Sequence, residues 1–113
     1  MQGRHFLIAA FLALSGPAAF ALEGDPQAAK DKTSMCIGCH GIPGYRTTFP
    51  EVYPVPKLGG QHAGYIVRAL QAYRDGERSH PTMRAIAASL SDQDMADLAA
   101  YYSANGPTTE AAK

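Results

Sequence analysis

The sequence predicts an all-α domain of about four helices, and three observations carry that expectation. Two stretches repeat apolar residues at helical spacing: Ile66, Ala69, Leu70 and Tyr73, then Met95, Leu98, Ala99 and Tyr102. Between positions 41 and 61 glycine and proline are so dense that no long helix fits, and prolines 50 and 54 oppose strand pairing. Ahead of that stretch stands Cys36-Ile37-Gly38-Cys39-His40, a C-x-x-C-H motif at the end of a predicted helix.

The spacing of this motif has a chemical reason. One helical turn presents both sulfurs to one edge of a porphyrin, where each thiol adds across a vinyl group to form a thioether. His40 then lies under the iron and binds it through an imidazole nitrogen. Three other readings compete. A thioredoxin-like redox pair belongs at a strand-to-helix junction, and no strand precedes Cys36. A structural zinc needs a fourth ligand at recognisable spacing, and the chain has no third cysteine. A plain disulfide would suit an exported chain. The expectation is one haem c, covalent through Cys36 and Cys39.

The amino terminus reads as an export signal. Arg4 supplies the positive charge, Phe6 to Leu14 a short apolar core, and Ala19-Phe20-Ala21 the small residues before a cut after Ala21. The apolar run falls short of the ~20 residues of a membrane span, so cleavage is expected rather than retention as an anchor. The expected organisation is a signal peptide over 1–21, one domain over 22–107 and a flexible tail over 108–113. The expected location is the periplasm. A mature chain this small, without tryptophan, buries a limited core and benefits from a staple, which a covalent haem would provide. Ten Lys+Arg balance ten Asp+Glu with no basic run, so nothing marks a nucleic-acid partner.

Within the expected domain, 22–24 reads as a mobile start. Asp25-Pro26 reads as an N-cap followed by proline at the first helical position, opening a helix to about Met35. Ala28 and Ala29 would let another helix approach. Residues 41–61 read as an apolar wrapping segment, carrying Tyr45, Phe49, Val52, Tyr53, Val55 and Leu58; a β-hairpin over 47–55 is the alternative. A helix follows from His62 to about Asp75, stopped by Gly76. Pro81 opens a short helix to about Ser89. Ser91 with Asp94 marks the cap of the last helix, which ends near Ala104 before Asn105-Gly106-Pro107.

A second iron ligand could come from Met35, Met83, Met95, His62 or His80, or be lacking. Met35 is too close in the chain to cross the ring, and Met95 sits on a core stripe. Met83 follows a turn and lies far enough downstream for the chain to have wrapped the ring. His80, three residues earlier, is its rival.

Several stretches together resemble the small bacterial monohaem class I c-type cytochromes. They are Cys36 to Gly41, Pro56-Lys57-Leu58-Gly59-Gly60-Gln61, Tyr65-Ile66 with Tyr73 and Gly76, then Met83, Leu90-Ser91-Asp92 and Leu98-Ala99-Ala100-Tyr101-Tyr102. The resemblance implies a fold wrapped round one covalent haem with its first and last helices crossing, Tyr101 or Tyr102 lying near Ala29. It implies Met83 as the second axial ligand beside His40, and the Pro56 carbonyl as acceptor for the other ring N–H of His40. The aromatic segment Gly41–Val55 is longer than the family's usual connection. The implied function is one-electron transfer, not catalysis; separately, the chain is expected to act as a monomer. Implied partners are a quinol–cytochrome c reductase, a terminal oxidase or a periplasmic dehydrogenase. A haem subunit of a dehydrogenase and a nitric oxide or carbon monoxide sensor are the alternatives.

Overall fold

The computed structural model describes residues 22–48 and 52–105. The expected signal peptide, Phe49 to Glu51 of the wrapping segment, the Gly106-Pro107 stop and the expected tail lie outside these residues. Among the described residues four α-helices carry the fold: α1 Ser34–His40, α2 Ala63–Asp75, α3 Pro81–Ala88 and α4 Asp92–Ala104. Between α1 and α2 lie two short strands, β1 Arg46–Thr47 and β2 Tyr53–Pro54.

The first helix departs from its expected course. Asp25 does cap, its carboxylate accepting the Gln27 N–H at 2.8 Å. The following residues then tighten into turns and a 3-10 stretch, Lys30–Lys32. The Thr33 hydroxyl donates to the Lys30 carbonyl at 2.8 Å, and such local side-chain bonds compete with regular helix. Regular helix begins only at Ser34, so α1 is little more than the haem motif itself.

Residues 23–25 pack against α4. Gly24 lies so close to α4 that a Cβ there would overlap the Ala96 carbonyl. Gln93 of α4 donates to the Glu23 carbonyl at 2.9 Å. Asp97, buried in α4, accepts the Asp25 N–H at 2.9 Å, the Gln93 side chain at 2.9 Å and Lys32 Nζ at 3.2 Å. Lys32 also pairs with Asp94 at 2.5 Å. A buried carboxylate with three donors is satisfied, and its loss would leave the Asp25 N–H without a partner, while Lys32 keeps Asp94 and Gln93 keeps the Glu23 carbonyl.

The wrapping segment does contain the hairpin. Arg46 pairs with Pro54 and Thr47 with Tyr53, and the Val55 N–H donates to the Tyr45 carbonyl at 3.0 Å. Pro54 is tolerated because each strand of a two-stranded ribbon has an edge that needs no N–H. A hairpin this short is marginal on its own.

The later helices follow the sequence closely. Gly76 ends α2 in the left-handed region (φ 83°), its N–H donating to the Tyr73 carbonyl. Pro81 opens α3. Ser91 and Asp94 form a reciprocal capping box at the start of α4, with bonds of 3.1 and 2.9 Å. The core unites Ala29, Ala87, Leu90, Met95 and Leu98, with Leu70, Tyr73, Tyr101 and Tyr102 packed on it. The 3-10 stretch after Ala29 meets α4, which is the contact expected of the first and last helices. Five consecutive residues, Met95 to Ala99, are buried, because the chain start covers the face of α4 that α2 does not.

Candidate haem site

A cavity of about 480 Å³ lies among α1, the hairpin, α2 and α3, within the range of cofactor sites. Its wall includes Cys36, Cys39 and His40 of α1, Leu58, Ile66 and Leu70 from the middle of the chain, and Met83 and Ile86 of α3. Among the described residues no carboxylate lines it, whereas Lys57 and Arg78 do. Arg78 also stacks over the Tyr73 ring at 4.7 Å. An apolar wall with two cations and no acid suits a flat hydrophobic group that carries carboxylates.

Cys36 and Cys39 are both free thiols, the first half-buried and the second exposed. Burial pushes the Cys36 thiol above its ordinary value, and a hydrogen bond from Tyr102 acts against this. Burial and the adjacent Cys36 likewise push the Tyr102 hydroxyl upward. Among the described residues no three His, Cys, Asp or Glu side chains form a metal-binding group, so the zinc alternative lacks a ligand set.

His40 closes α1, and its Nδ1 lies 2.6 Å from the Pro56 carbonyl oxygen. A carbonyl can only accept, so Nδ1 carries the proton, and in the neutral tautomer that this bond selects Nε2 keeps its lone pair. The other candidate ligands separate by position. Met95 is fully buried in the core and, like His62, is not part of the cavity wall. Met35 lines the cavity beside the cysteines. Met83, in the first turn of α3, and His80, its N-cap, both line it. The haem reading thus fits the donors, volume and polarity of the wall. Sequence reasoning missed Lys57 and Arg78 as the cations of this wall; lone basic residues in loops carry no pattern that would reveal them.

The chain matches the cytochrome c family model over residues 27–104. It is 43% identical over 83 residues to cytochrome c-554(548) of Halomonas halodenitrificans, covering 71% of this chain and 95% of that protein. It is 41% identical over 91 residues to cytochrome c4 of Thiocapsa roseopersicina, covering 79% of this chain and 44% of that one. The solved structure of reduced recombinant cytochrome c4 from Pseudomonas stutzeri superposes with a TM-score of 0.51 at 32% identity, covering 74% of this chain and 50% of its own. The chain thus spans about half the length of its cytochrome c4 relatives. The attachment motif, the wall around it and these similarities together place the chain in the cytochrome c family, as an all-α electron-transfer protein with one covalent haem c.

Proposed function

We propose that the chain is a periplasmic carrier that passes single electrons between redox proteins, with His40 and Met83 as the two ligands of the haem iron. When bound, the haem supplies the one-electron ferric–ferrous couple. The observation that carries the reading is the cavity wall, which holds both an imidazole with a free Nε2 lone pair and a thioether. With both residues as ligands, the iron would offer a substrate no open place, which supports a carrier over an enzyme. The Pro56 carbonyl orients the His40 ring and raises its basicity. The soft Met83 sulfur would favour the ferrous state and so raise the potential. Lys57 and Arg78 provide cations for the haem carboxylates. A quinol–cytochrome c reductase, a terminal oxidase or a periplasmic dehydrogenase would be the electron donor or acceptor.

Replacing the sulfur tests the assignment. In Met83→Ala the weak far-red band of sulfur-ligated ferric haem is lost and the midpoint potential falls. A Met83→Ala protein that keeps both would remove Met83 as the ligand.

A further inference from the structure

Helix α3 begins in an unusual manner. N-caps are ordinarily short polar side chains such as Ser, Thr, Asp or Asn. Here the cap is His80, whose Nδ1 accepts the backbone N–H of Met83 at 3.3 Å. The donor is the residue whose sulfur is assigned to the iron above. An asparagine would satisfy the same N–H, so capping alone does not explain an imidazole. The ring makes further contacts that a short side chain lacks. It lies edge-on to Tyr73 of α2, with centroids 6.3 Å apart, and edge-on to Tyr53 of β2 at 5.9 Å. Arg78 stacks in turn on Tyr73. The first turn of α3 is thereby tied to α2 and to the hairpin through one side chain.

We propose that His80 is the positioning residue for Met83: its Nδ1 fixes the Met83 backbone, and Tyr53 of the hairpin anchors the His80 ring. The proposal rests on the assignment of Met83 to the iron. It also gives the long aromatic segment a task. Met83 has three side-chain torsions, so its sulfur is aimed only as well as its backbone is held. An N-cap contributes ~1 kcal/mol, equivalent to about a fivefold change in the fraction of molecules whose sulfur has left the iron. Where that fraction is small, the sulfur-bound population barely changes while the open population multiplies.

Carbon monoxide binding to the ferrous holoprotein reads the open population, and the ferric far-red band reads the closed one. In His80→Ala the carbon monoxide association rate rises about fivefold while the ferric band stays. His80→Asn, which restores a capping acceptor, returns the rate to within about twofold of the unaltered protein. Tyr53→Ala raises the rate about twofold, with the cap intact. An unchanged rate in His80→Ala, or an Asn variant no better than the Ala variant, overturns the role of Nδ1. An unchanged rate in Tyr53→Ala overturns the anchoring role. Loss of the ferric band in His80→Ala also overturns the proposal, since His80 would then do more than aim Met83. Failure of the underlying assignment is distinguishable, because the far-red band would then survive in Met83→Ala.

Discussion

The contact between α4 and residues 23–32 and the wall made by residues 41–48 and 52–58 are built on different terms. In the first, side chains and backbone satisfy one another. Ala29 and Met95 are fully buried, Gly24 touches the α4 backbone, and Asp97 collects three hydrogen bonds. In the second, two pairs of strand residues hold a ribbon whose apolar side chains stay largely exposed, with Val52 at 64% and Tyr53 at 50%. Its inner residues face the cavity, not another element's core. The comparison teaches that the domain is half self-packed and half folded round its cofactor. The first half is held by its own side-chain and backbone contacts, whereas the second is expected to gain its order when the haem is bound.

The most severe way to break this comparison is to prevent attachment. Cys36→Ser with Cys39→Ser is expected to abolish covalent haem and, with it, cooperative thermal unfolding followed by far-UV circular dichroism. Helix content and melting equal to the holoprotein would show that the self-packed half suffices for the whole. Next in size, Asp97→Ala in the holoprotein should cost about 2–3 kcal/mol in denaturant unfolding, because a buried acceptor of three donors disappears. Val52→Ala in the ribbon should stay within about 0.5 kcal/mol. Equal losses at the two positions would erase the distinction.

A smaller effect follows from pH. Hydrogen bonding to Lys32, followed by bonding to Ser91, lowers the Asp94 carboxyl from 3.8 to about 2. Asp97 is also held below its ordinary value, chiefly by the Asp25 N–H and Gln93. Both pKa values are depressed in the folded state, so their contribution is present above the ordinary carboxylate range. It is lost as pH falls from about 4 towards 2. The melting temperature of the holoprotein should decline across that window. Lys32→Met should flatten the decline, and an unchanged slope would mean that this cluster does not govern acid stability.

Elements with local chemical signals were legible in the sequence. The Ser91–Asp94 capping box, Gly76 and Pro81 each act on their near neighbours, and α2 to α4 lie where those residues put them. The attachment motif was legible because its geometry is contained within five residues. What escaped depends on distant partners. The hairpin was passed over because proline argues against strands in general, whereas this ribbon has edges that accept it. The first helix was drawn too long because Thr33 bonds back to Lys30. The packed chain start was invisible because its partners, Gln93, Ala96 and Asp97, lie on α4. Lys57, Arg78 and the capping role of His80 emerge only when the loops close round the cavity.

The contact between the chain start and α4 also bears on how fast the protein folds. The Asp25–Asp97 bond joins residues 72 positions apart, and the Gln93–Glu23 bond joins residues 70 apart. Small helical domains ordinarily fold quickly because their contacts are local. Closing a loop this long carries an entropy cost of roughly (3/2)RT ln n before any reward is collected. The individual helices grow within about a microsecond. The slow event is expected to be the meeting of residues 23–25 with α4, so the refolding rate should be set by a long-range search rather than by helix growth.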